Sequence, residues 1–408
     1  MEFFKVVSVD DARELIKDEF GQYQLESELV SLLESQGRVL SDDIVSEINV
    51  PEFDRSTVDG YAVLVEDSHG ATESIPSILE VLGEVLMGET PKHQVGSGQA
   101  VYVPTGGMMP EGATGMIMIE NTEKMDEETV LLFKPISKGE NMVFRGEDIK
   151  KGEVALQAGR RIGPNEIGVL ASLGISHVRV IKKPKVYILS TGDEVIDLDE
   201  ELKIGKIRDI NSYALSAMIR EIGGEVAGRE IVKDNYNLLL EGVRRALQHA
   251  DVVLLSGGSS VGTRDYTHKV ITDLKGKGVL AHGISIKPGK PTIIGDGKGK
   301  LIVGLPGHPV SSIVVFKAIV QPYIQGLLKA PYDARRVEAI TTHNFPSSPG
   351  KETYHMVRLK REDGKMFATP SFGKSGMITL LSSSDGYIVI AEHEEGINKG
   401  ETREVYLF

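Results

Sequence analysis

The chain has 408 residues, too many for one small domain and enough for two to four, because single hydrophobic cores stop growing near roughly 250–300 residues. It is 40% hydrophobic and 26% charged and has no cysteine, which excludes disulfides, thiolate metal sites and cysteine nucleophiles. The 46 basic and 59 acidic residues give a formal net charge of -13, so nucleic acid is an unfavourable partner, and an anionic small ligand would need local lysines or backbone N–H donors.

The N-terminal segment has no features of a secretion signal. Residues 1–20 lack the apolar run of a signal peptide, and no stretch of the chain reaches about 18 uninterrupted apolar residues. We therefore expect a soluble, cytoplasmic protein that has neither a membrane nor a nucleic-acid partner.

The beginning of the chain predicts helices. Ser8, followed three residues later by Asp11 and then by an apolar rhythm, predicts a capped helix, and residues 25–33 show a second rhythm compatible with a helix. Residues 145–181 contain a glycine turn and then a predicted helix over 165–173. We expect residues 1–48 and 145–181 to form one connector domain of helices and strands.

Between these two segments the pattern changes to short β-branched runs. Residues 78–82 and 101–103 are examples, and glycine and proline separate such runs. We expect residues 49–144 to form a β-rich insert domain.

Strands and helices alternate from residue 182 to residue 329. Such alternation predicts a parallel sheet covered by helices on both faces. The expected strands are 186–189, 226–232, 252–255, 292–294 and 301–303, and the expected helices are 213–222, 237–249, 266–274 and 310–328.

After this region the chain returns to short strands, including 387–391 and 405–407. The fold class is therefore a multidomain α/β protein. We expect a central three-layer α/β/α sheet domain at 182–329, the β-rich insert, the connector, and a small C-terminal β-barrel-like domain at 330–408.

The loop after the predicted strand 252–255 is rich in small residues. It reads SGGSSVGTRD over 256–265, and its glycines would allow backbone N–H groups to surround a phosphate at a helix start. Asp265 could then hold a divalent cation that bridges phosphates. The alternative is a tight strand-to-helix turn with Asp265 as a helix cap.

The same loop contains a G-x-S-x-G pattern at 258–262, which also occurs in serine hydrolases. In that interpretation Ser260 would be the nucleophile. Asp296 and His308 are the best-spaced candidates for the other two members of a catalytic triad.

Two further strand ends carry acidic residues. Glu194 follows the small-residue loop 190–193, and Asp234 closes the strand 226–232. Because the carboxyl ends of parallel strands share one edge of a sheet, Glu194, Asp234 and Asp265 could converge for metal binding or acid–base chemistry. The alternative is that each acid only caps the next helix.

Other loops also combine charge with glycine or proline. Residues 286–291 read IKPGKP, a stiff turn with two lysines suited to an anion, although a solvated surface turn has the same composition. The histidines show no zinc-ligand spacing, and the nucleotide-binding glycine fingerprints are absent.

Together, seven segments resemble the MoeA family of molybdopterin molybdenumtransferases, which is related to the E domain of gephyrin. The resemblance extends over essentially the whole chain. The segments are RSTVDGYA at 55–62, PTGGMMPEGA at 104–113, RGEDI at 145–149, STGDE at 190–194, SGGSSVGTRDY at 256–266, IKPGKP at 286–291 and LPGHPVS at 305–311.

The resemblance implies insertion of molybdate or tungstate into adenylylated molybdopterin, with Mg²⁺-dependent release of AMP. It also implies an elongated homodimer whose active sites lie between the sheet domain of one subunit and the insert of the other. A molybdopterin adenylyltransferase would be the upstream partner that supplies the substrate.

The resemblance further implies the roles of individual residues. Glu194, Asp234 and Asp265 would be the acids of the sheet domain. From the charge on a phosphoanhydride and an oxyanion we expect Asp234 and Asp265 to be Mg²⁺ ligands, with Glu194 as a third ligand or as the group that orients the nucleophile. The insert would supply Asp59, Thr105 and Asp148. Substrate or oxyanion would be held by Thr191, Gly192, Ser256, Gly257, Gly258, Ser259, Gly262, Lys287, Lys290, Pro291, Pro306, Gly307, Ser311, Lys351 and Ser375.

Several positions depart from the family pattern, among them Val143-Phe144, Met108-Met109, Lys351 and His308. Lys351 stands where members commonly carry an oxyanion-binding arginine, and a lysine lacks the bidentate fork of arginine. His308 takes a position often held by asparagine. The alternatives of an adenylyltransferase, which would not need residues 1–180, and of a non-catalytic gephyrin-like scaffold remain open from the sequence.

Overall fold

The structure is a computed structural model that describes residues 6–257, 266–330 and 334–408. Its first element is the predicted helix, Val9–Phe20. The Ser8 hydroxyl accepts a hydrogen bond from the Asp11 backbone N–H at 3.0 Å, and the Asp11 carboxylate accepts one from the Ser8 N–H at 3.3 Å. This reciprocal pair satisfies donors that a helix start leaves without partners, and it confirms the predicted cap.

Apart from the helix Val9–Phe20, which packs against the sheet domain, the described part of the connector consists of short strands, a 3₁₀ turn at Leu33–Ser35 and the helix Pro164–Ser172. The helix predicted over 25–33 is wrong: this segment forms the strand Ser27–Ser31, which pairs antiparallel with His177–Ile181. Its partner lies far along the chain, so the local apolar rhythm could not distinguish the two structures. Ile44–Val45 pairs with Val154–Leu156, and residues from both segments of the chain share one core, formed by Leu40, Leu156, Ile162, Leu170, Val178 and Val180.

The insert is built on a six-stranded sheet, as its β-branched runs predict. The strands lie in the order Gly115–Met118, Gly60–Val63, Gln99–Val103, Ser77–Glu84, Thr129–Leu132 and Thr122–Lys124. Arg55–Ser56 pairs with Met142–Val143 beside this sheet. Two clusters of buried side chains, one around Tyr61 and one around Ala62, lie on opposite faces of the same strand because successive side chains alternate.

The sheet domain has six strands in the order Glu225–Val232, Lys185–Thr191, Val252–Ser256, Leu301–Leu305, Ile293–Asp296 and Gly278–His282. The first four strands are parallel, as predicted, but the last two pair antiparallel. The expected all-parallel sheet is therefore wrong at this edge. Only residues 297–300 connect Ile293–Asp296 to Leu301–Leu305, which is too short for a parallel crossover.

Helices cover both faces of this sheet. Asn211–Glu221, Val9–Phe20 and the long C-terminal helix pack on one face, and Tyr236–His249 and Thr267–Asp273 pack on the other. The long helix runs as Pro309–Val315, a π-helical segment Phe316–Val320, and Gln321–Leu327. It is long and apolar enough to cross a membrane by length and composition, but 72% of its most apolar window is buried inside the protein.

The C-terminal domain is a small closed barrel, as predicted. Its strands lie in the order Glu352–Glu362, Lys365–Pro370, Arg336–Thr341, Thr402–Leu407 and Gly386–Ile390, and the last strand pairs with the first. Phe345–Pro346 pairs with Gly396–Ile397, and a short helix spans Thr379–Ser382. Ile286–Lys287 of the sheet domain adds a parallel strand beside Glu352–Glu362, so the two domains are joined by backbone hydrogen bonds.

Candidate active site

A cavity of about 680 Å³ lies beyond the carboxyl ends of the parallel strands. This is the edge where open α/β sheets bind ligands. The strands Lys185–Thr191 and Val252–Ser256 end at the cavity with polar residues, and Asp234 follows the end of Glu225–Val232. The sequence pattern therefore predicts the edge of the sheet at which this cavity lies.

Most of the predicted sheet-domain residues that the structure describes line this cavity. Both described acids, Glu194 and Asp234, are among them. The backbone N–H of Asp234 donates to the carboxylate of Asp193 at 3.3 Å, which connects the loops that carry the two acids. The other predicted lining residues are Thr191, Gly192, Ser256, Gly257, Pro291, Pro306, Gly307 and Ser311.

Two hydroxyls in the wall of the cavity are buried without a partner. Ser190 and Thr191 are 2% and 6% exposed, and neither hydroxyl has a hydrogen-bond partner among the described residues. A buried hydroxyl normally finds a partner because its desolvation is otherwise uncompensated. Both residues line the cavity, and their hydroxyls lack the hydrogen bond that normally compensates for burial.

Gly257 allows the loop after Val252–Ser256 to lie close against the end of the strand Lys185–Thr191. Its φ is +103°, and a Cβ atom at this position would lie 2.4 Å from the Thr191 carbonyl oxygen and 2.9 Å from the Thr191 hydroxyl. Only glycine fits both the left-handed backbone and this approach. The first glycine of the small-residue loop thus has a packing role as well as a place in the lining of the cavity.

Sequence reasoning missed a group of polar residues that precede or begin the helix Asn211–Glu221. Asn211 donates one amide hydrogen to the Ser256 hydroxyl and the other to the Gly307 carbonyl, both at 2.9 Å. Asp209 is 5% exposed and accepts from the Ser212 N–H at 3.0 Å. An asparagine at the start of a helix is normally interpreted as a cap, so nothing local indicates this link between loops.

Arg208 is the only lysine or arginine among the described lining residues. Its Nη1 donates to the carbonyl oxygens of Leu198 at 2.6 Å and Glu200 at 3.0 Å, which holds the polar loop before it. Arg208 therefore lines the same cavity as Glu194 and Asp234, while its guanidinium contacts the loop that precedes it. No motif in the sequence singled it out.

The C-terminal domain reaches the rim of the cavity. His308 lines it, and its Nδ1 lies 2.9 Å from the hydroxyl of Ser375. The Val310 N–H donates to the Ser375 carbonyl at 3.1 Å, and Gly376 also lines the cavity. The predicted residue Ser375 is thus next to the cavity.

The three predicted lysines do not line the cavity. Lys287 donates from its ammonium group to the Ser348 hydroxyl at 2.7 Å, and the Lys351 N–H donates to the Ser348 carbonyl at 3.0 Å. Lys290 is exposed in the turn before Pro291. Lys287 and Lys351 therefore both contact Ser348, at the junction of the sheet domain and the barrel.

The predicted residues of the insert are also separate from the cavity within one chain. The Asp59 carboxylate accepts from the Thr105 N–H at 2.8 Å, so these two residues are adjacent. Asp148 is exposed, and its N–H donates to the Val50 carbonyl at 3.1 Å. None of the three lines the cavity.

Part of the glycine-rich loop lies outside the described residues. The predictions for Gly258, Ser259, Ser260, Gly262 and Asp265 therefore stay predictions. The proposed hydrolase triad is nevertheless wrong. Asp296 pairs with Leu301 at the beginning of the strand Leu301–Leu305, whereas His308 follows the end of that strand, so the two lie at opposite edges of the sheet.

Comparison with known proteins gives matches over nearly the whole chain. Three family models match in order: the MoeA N-terminal region (domains I and II) at residues 7–174, a probable molybdopterin binding domain at 187–326, and the MoeA C-terminal region (domain IV) at 338–408. A putative molybdopterin biosynthesis protein of Methanocaldococcus jannaschii is 34% identical, and the match covers 98% of both chains. The molybdopterin molybdenumtransferase of Bacillus subtilis is 32% identical over 95% of this chain and 91% of its own length.

Solved structures give the same result. A molybdopterin biosynthesis MoeA protein of Pyrococcus horikoshii is 33% identical with a TM-score of 0.86, and the match covers 99% of this chain and 100% of that chain. A second structure of a MoeA protein from the same organism is 37% identical with a TM-score of 0.83 and 99% coverage of both chains. The likeness thus includes all the domains described above.

Proposed function

The chain belongs to the MoeA family, and we propose that it is a molybdopterin molybdenumtransferase, which inserts molybdate or tungstate into adenylylated molybdopterin and releases AMP. The main support is the acid-lined cavity at the carboxyl edge of the sheet in a chain that matches the family over its whole length. We also propose that the protein acts in the cytoplasm and receives its substrate from an adenylyltransferase.

The cavity suits part of a pterin nucleotide in size and chemistry. Its volume of about 680 Å³ falls within the usual range for small-molecule sites. Hydroxyls of Thr191 and Ser256 and the backbone around Gly257 are arranged at its wall. These groups would hold phosphate oxygens, which prefer N–H and O–H donors.

The donor set of the cavity fits Mg²⁺. No group of three or more His, Cys, Asp or Glu residues forms a metal cluster within the described ranges. Glu194 and Asp234 both line the cavity, however, and Mg²⁺ usually takes one or two carboxylates together with substrate phosphates. When bound, the ion would neutralise charge on the phosphoanhydride that breaks.

The chain's own residues would position the reactants. Molybdate is a dianion and the phosphoanhydride is also negative, so the two repel each other unless fixed donors and cations hold them. Pro291, Ser311 and Ser375 would hold the oxyanion, and Lys287, Lys290 and Lys351 would supply positive charge from the adjacent turns. Asp59, Thr105 and Asp148 would come from the insert of the other subunit of a homodimer.

The test is turnover with adenylylated molybdopterin, molybdate and Mg²⁺. Asp234→Asn and Glu194→Gln should each lower the rate of AMP release by about 100-fold or more, while adenylylated molybdopterin still binds. Glu241→Gln, on the exposed face of the helix Tyr236–His249, is the matched control and should leave the rate unchanged.

The products distinguish the competing functions. AMP release together with incorporation of molybdenum supports the transferase. Pyrophosphate release from ATP and molybdopterin would instead indicate an adenylyltransferase, and the absence of both reactions would indicate a scaffold.

A further inference from the structure

His308 links the sheet domain to the C-terminal domain at the rim of the cavity. It is exposed and immediately precedes the helix Pro309–Val315. Its Nδ1 lies 2.9 Å from the Ser375 hydroxyl, 67 residues away along the chain. Both His308 and Gly376, the residue after Ser375, line the cavity, so this contact lies next to the cavity.

We propose that His308 is a positioning residue that orients the Ser375 hydroxyl for binding the oxyanion. The inference rests on the proposed function, in which Ser375 contacts molybdate or tungstate. It assigns the imidazole a role in oxyanion affinity rather than in the chemical step. The oxyanion is then contacted by Ser375, and His308 acts through that hydroxyl.

The direction of the hydrogen bond carries the argument. A serine hydroxyl has one proton, and an anion requires that proton because its oxygens only accept hydrogen bonds. If Nδ1 of His308 accepts the serine proton, Ser375 can offer the anion only lone pairs. If Nδ1–H donates to the serine oxygen, the serine proton is available to the anion, so oxyanion binding selects the Nδ1–H form of His308.

A second contact holds the turn around Ser375 independently of the His308 side chain. The Val310 N–H donates to the carbonyl of Ser375 at 3.1 Å, which holds the backbone of the turn without the imidazole. Removing the His308 side chain should therefore leave the turn in place and free only the rotation of the Ser375 side chain. A merely structural role of His308 would instead predict a displaced turn.

The experiment compares His308→Ala, His308→Asn, Ser375→Ala and the double variant His308→Ala/Ser375→Ala. The amide of asparagine can donate to Ser375, whereas alanine cannot. We expect His308→Ala and Ser375→Ala each to raise the KM for molybdate in AMP release about tenfold, with kcat nearly unchanged. The KM of His308→Asn should stay within about threefold of the wild-type value. The KM of the double variant should be no higher than that of Ser375→Ala alone.

The inference would be overturned if the increases in KM of the two single variants multiplied in the double variant. It would also be overturned if His308→Asn raised the KM as much as His308→Ala does. Amide hydrogen exchange over residues 371–377 provides a readout independent of turnover and should be unchanged in His308→Ala. Faster exchange there would show a structural role and would also overturn it.

Direct binding of molybdate, measured by calorimetry, separates the failure of this inference from the failure of the proposed function. If the wild-type protein releases no AMP but binds molybdate about tenfold more tightly than His308→Ala, the proposed function fails and the inference stands. If the wild-type protein turns over and His308→Ala binds molybdate equally well, the inference alone fails. If the wild-type protein neither releases AMP nor binds molybdate, both fail.

Discussion

Truncating Asn211 should uncouple two loops of the cavity and destabilise the sheet domain. The Asn211 side chain is buried and donates to the Ser256 hydroxyl and to the Gly307 carbonyl, both at 2.9 Å. Asn211→Ala removes both hydrogen bonds, each worth about 1 kcal/mol, and leaves the buried hydroxyl of Ser256 without this partner. We expect a loss of about 2–3 kcal/mol in the free energy of unfolding.

The assay is thermal unfolding followed by circular dichroism, because the chain has no tryptophan. A loss of this size should lower the midpoint by about 4–12 °C for a domain of 150 to 250 residues. The KM for adenylylated molybdopterin should also rise, since the loops at Ser256 and Gly307 are no longer held together.

Asn237→Ala is the matched control, because Asn237 is exposed in the first turn of the helix Tyr236–His249 and undergoes the same chemical change. Both substitutions gain the same small advantage in helix propensity that alanine has over asparagine, so the difference between them isolates the two buried hydrogen bonds. A midpoint for Asn211→Ala within about 1 °C of that for Asn237→Ala would refute the proposed link between loops.

Three further predictions concern other contacts. Gly257→Ala should cost at least about 3 kcal/mol, because its Cβ would lie 2.4 Å from the Thr191 carbonyl oxygen, whereas Gly299→Ala, with φ +84° and nothing within 4 Å, should cost only about 1 kcal/mol; equal thermal midpoints would contradict this. Burial raises the pKa of Glu352 above its ordinary value of 4.5, so between the pKa of the unfolded chain and that of the folded chain the folded chain binds more protons. The free energy of unfolding should therefore fall as the pH rises from about 4.5 through the pKa of the folded chain. In urea titrations at several pH values, Glu352→Gln should flatten this fall, whereas Glu338→Gln, at an exposed position, should not. Arg208→Met should increase amide exchange over residues 197–206 about tenfold, because the donor to the Leu198 and Glu200 carbonyls is lost; unchanged exchange would show that the loop does not depend on this side chain.

Elements with a strong local pattern could be predicted to within a few residues. Val252–Ser256 is a run of buried apolar residues that ends in serine, and the apolar spacing of Tyr236–His249 matches a helix with one buried face. Ser27–Ser31 could not be predicted, because its strand character depends on pairing with His177–Ile181. The same applies to the closure of the C-terminal barrel between Glu352–Glu362 and Gly386–Ile390.

In the candidate site, too, residues placed by local pattern could be predicted and residues placed by distant contacts could not. Glu194 and Asp234 line one cavity, a placement that the sequence allowed because both follow strands of one parallel sheet, whose carboxyl ends share an edge. Asn211 and Arg208 were missed because their partners are a hydroxyl and carbonyl oxygens in loops that no short motif connects. The location of Lys287 beside Ser348 follows from the parallel pairing of Ile286–Lys287 with the barrel, a contact between domains.

Sequence alone determined the alternation of strands and helices, the edge of the sheet that carries the acids, and the resemblance to the MoeA family, because these depend on residue order and local periodicity. Only the tertiary structure decided which hydroxyls are buried without described partners, which carbonyls hold Arg208, and that His308 meets Ser375. Those contacts join residues far apart along the chain, and the packing of whole domains sets their distances.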